Sequence, residues 1–322
     1  MSKVEEAILK TIVYYDSFDY PLTFEELNTF LFSGSKEDVN TGLESLIGEN
    51  LLEESNGFYF LKNRKKLVEV RKERNEIAEK KWRKTLKTVK WFRMIPYLRL
   101  VFASGSLALK NTVKESDLDV LIVVKHGRIW TVRFLVILLL SLLGVRRTRH
   151  ERVAPDKICL NHFITDKSLY IPRKSIYTAQ LYARLALIWT EDEKIIDQFC
   201  TANSWVGEYV RGWPEAIRNP KFKILNPKQI QNSKILNLIK KTSEIILDTK
   251  AGGWLETILK KYQLRRINSC HLTYKPDGRV KADDESLEFH PDSPELKIIE
   301  KYNKKIIELG FKDLTERSSF AK

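Results

Sequence analysis

Cysteine, methionine and long apolar runs are scarce in this chain. Its three cysteines (Cys159, Cys200, Cys270) are odd in number and far apart among 322 residues, and no pair has zinc spacing. That excludes a disulfide scaffold and leads us to expect reduced thiols in a cytoplasm. Only 13 glycines and 10 prolines exclude a collagen-like repeat, and 43% hydrophobic residues are too many for a disordered chain. No internal repeat or low-complexity tract is present. The most apolar run, residues 134–145, falls short of the roughly 20 residues that a membrane span needs and is expected to be a buried core helix. The start, Met1-Ser2-Lys3-Val4-Glu5-Glu6, lacks the basic residues and apolar stretch of a signal peptide. A cytoplasmic protein with no membrane partner is the expectation.

Arginine is absent from the first 60 residues, which hold three lysines against twelve acids, whereas residues 61–100 hold fifteen Lys and Arg against four Glu. The net charge of +14 therefore comes from a basic belt and a basic C-terminal part. Basic belts attract phosphate, whether of nucleotide or of nucleic acid.

Val4, Ile8, Ile12 and Tyr15 recur at helical spacing. Thr23, with Glu26 three residues on, has the form of a capping box at the head of a second helix. A third helix is expected over about residues 36–50, with Val39, Leu43, Leu46 and Ile47 inward. Asn56-Gly57 between two short apolar segments predicts a hairpin, because both turn residues need positive φ. Three helices and a hairpin predict a winged-helix-like domain over residues 1–62. Lys36, Glu37, Asp38, Glu44 and Glu49 on the third helix make it a poor reader of DNA and favour a protein contact. Residues 63–96 form a basic connecting helix, with Leu67, Val70, Ile77, Leu86, Val89 and Phe92 on one side and Pro96 as its stop.

The chemistry-bearing stretch follows. Residues 98–103 read as a strand running straight into Ser104-Gly105-Ser106. Asp117-Leu118-Asp119 follows Ser106 after a ten-residue spacer and opens a β-branched run, residues 120–124, of the kind found in buried strands. Side chains alternate along a strand, so Asp117 and Asp119 share one side, where two carboxylates suit a divalent cation with oxygen ligands. A Gly-Ser turn lets backbone N–H groups approach a phosphate.

Gly105-Ser106-Leu107-Ala108, then Ser116-Asp117-Leu118-Asp119, resembles the DNA polymerase β-like nucleotidyltransferase superfamily, and in particular its small bacterial members. The resemblance covers roughly residues 97–170, about a quarter of the chain. It implies a nucleotidyltransferase core with a small mixed sheet over residues 97–172 and a mostly helical C-terminal domain over residues 173–322; with the winged-helix-like N-terminal domain, read independently from residues 1–62, an α+β protein is expected. It also implies Mg²⁺ or Mn²⁺ on Asp117 and Asp119, with NTP phosphates on Gly105 and Ser106. Lys110, close by in sequence, stands where many small members carry glycine and is a candidate phosphate contact. The third carboxylate of the family is missing from the next strand candidate, residues 157–164. Asn161 is the candidate for that third metal position, and Asp156 and Asp166 flank the strand. His162 reads as a packed side chain and Arg128 as a surface residue at a helix start. Arg266 and His271 have the Arg-x4-His spacing of small helical ribonucleases, a pattern common by chance.

Three functions stay open: NMP transfer from an NTP to an RNA end, a protein or a small hydroxylated molecule; a weakened nucleotide-binding regulator acting through protein partners, for which the missing carboxylate speaks; and a winged-helix DNA-binding regulator, against which the acidic first 60 residues speak.

Overall fold

The computed structural model describes residues 1–32, 38–148, 151, 153–218, 234–276 and 278–311. The chain is α+β with a mixed sheet. Among the described residues no helix is long and apolar enough to cross a membrane.

Helix α1 (Lys3–Asp16) opens on a Ser2–Glu5 capping box and buries Val4, Ile8, Ile12 and Tyr15. A two-residue strand, β1 (Leu22–Thr23), leads into α2 (Phe24–Phe30), where Thr23 and Glu26 make the expected capping box. Helix α3 (Val39–Gly48) buries Val39, Leu43 and Leu46 but leaves Ile47 exposed; Lys36 and Glu37 lie outside the described residues. Strands β2 (Leu52–Ser55) and β3 (Phe58–Leu61) turn at Asn56 and Gly57 with φ of 54° and 77°. Both residues take the positive φ that the hairpin requires. The small sheet has the order β1-β3-β2.

Helix α4 (Leu67–Val89) is basic but not basic outward alone. Arg71 and Lys81 are buried on it beside Leu67, Val68, Ala78 and Trp82. Lys81 Nζ donates to the carbonyls of Lys114 and Ser116 and to Asp156. Part of the belt expected to face phosphate thus holds the chain's own loops.

The main sheet has the order β7-β4-β5-β6-β9-β8, with β5 and β6 parallel and the other pairs antiparallel. Its centre is β4 (Leu98–Ala103), β5 (Leu118–Val124) and β6 (Ile158–Thr165). Alternation explains their unbroken apolar runs. Leu100, Phe102, Leu121 and Val123 enter one core, shared with α1 to α3, α7 (Ile176–Ala183), α8 (Lys194–Ala202) and α12 (Glu295–Glu308). Val101, Ala103, Val120, Ile122 and Val124 enter the other core, with α4, α6 (Ile129–Leu142) and α11 (Lys250–Asn268). Two short helices, α5 (Gly105–Ala108) and α9 (Glu215–Arg218), and α10 (Lys234–Leu247) complete the set.

Two expectations need correction. The C-terminal part is not helical throughout: β7 (Ala186–Thr190), β8 (Arg279–Ala282) and β9 (Ser286–His290) join the main sheet. Within the part expected to be mostly helical, residues 176–190 divide into α7 and β7. The apolar helix α6 is buried on one side alone, through Ile129, Trp130, Val132, Val136 and Leu140, while Leu138, Leu142 and Leu143 are exposed. Pro220, Pro227, Lys221 and Lys223, expected in a broken connection, lie outside the described residues.

His162 is packed, as expected: it is buried, 3.1 Å from the Tyr182 hydroxyl through Nδ1, and its ring meets His290 edge-on at 6.3 Å. Burial pulls the imidazole of His162 down to about 3 and that of His290 to about 4. Unfolded imidazoles titrate near 6.5, so between those values the unfolded chain binds protons that the folded chain refuses. Stability is therefore complete above about pH 6.5 and falls by roughly 3 kcal/mol for each imidazole as the pH drops toward 4. Denaturant midpoints across that range check this, and the double variant His162→Gln/His290→Gln flattens the slope; an equal slope in the double variant contradicts it.

Candidate functional site

Strand β4 ends at Ala103 and the chain turns at Ser104-Gly105. Gly105 has φ +62°, and a Cβ there would lie 2.7 Å from Asp119 Oδ2. Glycine at this position is thus required twice, by the left-handed backbone and by the carboxylate packed against it. The Ser104 N–H donates to the Asp119 carbonyl at 3.0 Å, locking the turn to the start of β5. Ser116 Oγ accepts from the Val113 N–H at 3.1 Å and shapes the loop that delivers Asp117. Asn111, at the end of the α5 turn, donates to the Phe18 carbonyl at 2.9 Å and accepts from Arg74 at 3.0 Å, tying the turn to α1 and α4.

Strand β6 runs parallel to β5 with Cys159 opposite Asp119, and an irregularity between Asp119 and Leu121 follows. The extra residue brings both Cys159 and Asn161 to the dyad. Candidate ligand atoms of Asp117, Asp119 and Cys159 all lie within 4.8 Å of one another. Asn161 Nδ2 donates to Asp119 Oδ1 at 2.6 Å, while its Oδ1 is buried with no hydrogen-bond partner. Arg147, from the loop after α6, bonds Asp117 through Nη1. Burial and, after it, the neighbouring Asp117 charge push the Asp119 carboxyl well above the usual carboxylate range. Burial also pushes the Cys159 thiol far up, followed by the charges of Asp119 and Asp117, so the thiol stays protonated.

These residues sit on a cavity of ≈ 1120 Å³ at one end of the main sheet. Its walls come from α1 (Tyr14, Tyr15), α7 (Tyr177, Gln180, Arg184), α6, α11 and the β9 end. The structure brings Gly105, Ser106, Asp117, Asp119 and Asn161 together here. It does not bring Lys110, which is not among the lining residues. Lys110 has φ +54°, the conformation that favours glycine, and its charge acts on the Glu26 carboxyl instead. Asp156 holds Lys81 and Lys84, and Asp166 accepts from the His126 N–H, so neither flanking acid replaces a third carboxylate. Arg128 is not a free surface residue: its guanidinium lies 5.1 Å from the Tyr97 ring centre and 3.6 Å from Asp248. Arg266 lines the cavity but His271 is exposed on a short 3-10 helix and does not.

Residue-by-residue reading assigned no site role to Arg147 or Cys159, nor to the arginines Arg133, Arg146, Arg184 and Arg279 on the cavity wall, and it singled out Arg266 only for its spacing to His271. The signal for some of them was present: Arg133 is the one charge in the apolar helix α6, and Arg146-Arg147 follow its end.

The donor set suits a hard cation. Two carboxylates and an amide oxygen without a partner are oxygen ligands of the kind Mg²⁺ takes, and the neutral thiol would add little to such a site. Comparison with family models, with curated proteins and with solved structures finds no match for this chain.

Proposed function

We propose that the chain is a Mg²⁺-dependent nucleotidyltransferase, built on a polymerase β-like core with a winged-helix-like domain before it. The observation that carries this reading is the Asp119 carboxylate packed 2.7 Å from where a Cβ of Gly105 would stand. It joins the two halves of the sequence signature into one site. In that site Gly105 and Ser106 face the β- and γ-phosphates of an NTP, and Asp117, Asp119 and the Asn161 oxygen hold the cation, with Mn²⁺ as a substitute. The cation, when bound, neutralises phosphate charge and lowers the pKa of the attacking hydroxyl.

The reaction joins the acceptor oxygen to the α-phosphorus and breaks the α–β bridge, and pyrophosphate leaves. The hydroxyl proton passes to water, because Asn161 is not a base and the Cys159 thiol stays protonated. Arg147 holds Asp117 through Oδ2 and leaves the other carboxylate oxygen for the cation.

A second reading, a nucleotide-binding regulator without turnover, is favoured by the same two residues. Asn161 supplies no third carboxylate, and Arg147 already neutralises Asp117. One experiment separates the two: NTP binding and pyrophosphate release measured together for the wild type, Asp117→Ala and Asn161→Asp. The enzyme reading expects slow release in the wild type, none in Asp117→Ala, and a rate in Asn161→Asp raised by about 10²-fold, the scale of a positioned base. Binding without release in wild type and Asn161→Asp alike establishes the regulator. Absence of NTP binding overturns both.

A further inference from the structure

Arg133 is the least explained charge in the cavity. It sits in the most apolar helix, its Nε is buried without a hydrogen-bond partner, and it lines the cavity wall. Among the described residues no carboxylate is in ion-pair distance of it. What holds it is neutral: Nη1 donates to Gln263 Oε1 at 2.6 Å, and its guanidinium lies 4.8 Å from the Phe289 ring centre. Gln263 is itself fixed, donating to the Trp130 carbonyl at 2.8 Å, so the guanidinium is set in place before any ligand arrives. Burying a cation without a counter-charge is costly, and a cavity that does so is arranged for an anion.

Two of the other arginines on the wall act on Arg133. Arg146 follows α6 and Arg266 comes from α11, where Nη1 donates to the Tyr262 hydroxyl at 2.9 Å. Both are near enough for their charges to act on Arg133: burial first, then Arg146 and Arg266, pull its guanidinium down to about 10. Among the described residues the acids on the cavity wall apart from the dyad are Glu151 and Asp292, and these hold Lys157 and Lys275 rather than Arg133. Planar guanidinium groups with several donors match the oxygens of a phosphate.

Strand order places this cluster. Gly105 and Ser106 follow β4, on one side of β5; Phe289, under Arg133, is in β9, two strands away on the other side. The turn and the arginines therefore flank the Asp117–Asp119 pair from opposite sides. The cavity, at ≈ 1120 Å³, also exceeds the roughly 300–1,000 Å³ usual for one small ligand.

We propose that Arg133, Arg146 and Arg266 form the subsite for the phosphate group of a small phosphorylated acceptor, whose hydroxyl receives the nucleotide. The assignment of the acceptor rests on the nucleotidyltransferase reading; the anion site itself does not. Inorganic phosphate is the probe. Calorimetric titration of the full chain compares wild type with Arg133→Met, with Arg266→Met and with Asp117→Ala. Arg266 is exposed at the cavity mouth, so its variant keeps the test sound if Arg133→Met fails to fold. Phosphate affinity is expected to fall about tenfold or more in each arginine variant, the scale of a charge-assisted bond, and to persist in Asp117→Ala. Saturating Mg²⁺-NTP is expected to leave phosphate binding in place. Equal affinity in wild type and both arginine variants overturns the site. Displacement of phosphate by the NTP overturns the acceptor assignment and gives the arginines to the NTP's own phosphates. Transfer of nucleotide to RNA but to no phosphorylated small molecule also overturns that assignment. Phosphate binding that persists in a chain without nucleotidyl transfer leaves the site standing and removes only the reading on which the acceptor rests.

Discussion

Glu26→Ala destabilises the protein by about 3–5 kcal/mol, the cost of removing one partner from a buried ion pair. Glu26 lies inside the junction of α2, α4 and α7 and accepts from Tyr20 Oη at 2.7 Å and Arg71 Nη2 at 2.9 Å. Arg184 stands 3.6 Å from the same oxygen. Both guanidinium groups are packed on rings, Arg71 at 3.5 Å from the centre of Tyr20 and Arg184 at 3.7 Å from that of Phe30. Burial disfavours charge on both sides of the pair, pushing the Glu26 carboxyl up and the Arg71 guanidinium down. Without Glu26 two buried cations face each other with no carboxylate between them. The effect reaches the cavity, since Arg184 also donates to Tyr15 Oη at 2.7 Å and Tyr15 donates to Gln180 at 2.5 Å. Chemical denaturation measures it, with the exposed Glu73→Ala as a control expected within about 0.5 kcal/mol of wild type. A Glu26→Ala variant as stable as the control would show that the N-terminal helices are not locked to the rest by this cluster.

Gly105→Val is the second large effect, and it falls on activity. A left-handed backbone costs an L residue roughly 1–2 kcal/mol. The added carbon also meets Asp119 Oδ2 at 2.7 Å and forces the carboxylate away from the turn. A displacement of this kind is expected to lower pyrophosphate release by about 10²-fold, because misplacement by an ångström removes that much from a positioned reaction. Gly105→Ala meets the same atom and follows the same direction. Steady-state rates with circular dichroism as the fold check read the result; wild-type turnover in a folded Gly105→Val would separate the turn from the chemistry.

What was legible in the sequence was local. The Asn56-Gly57 hairpin, the capping box at α2, and the approach of Gly105 to Asp119 each depend on residues whose partners are near in sequence or on an alternating strand. Strand β7 was not legible, because a short apolar run such as residues 185–189 fits a buried strand and a buried helix equally. Strand β9 gained its place from pairing with β6 more than a hundred residues earlier, and β8 from pairing with β9, which no periodicity reports. The arginine wall was hidden for the same reason: Arg133, Arg147 and Arg266 come from a helix, a loop and a distant helix. Basic residues on α4 misled in the other direction, since Arg71 and Lys81 face inward to bond protein oxygens.

The position of the label in the NTP tests the central claim most directly. Wild-type protein with Mg²⁺ is supplied with each NTP, labelled at the α- or at the γ-phosphate, and with phosphorylated hydroxyl compounds as acceptors. The site built on Gly105, Ser106, Asp117 and Asp119 predicts that α-label joins the acceptor and γ-label leaves as pyrophosphate, and that neither happens in Asp117→Ala/Asp119→Ala. Gamma-label on the acceptor, or equal transfer by the double variant, would contradict the account.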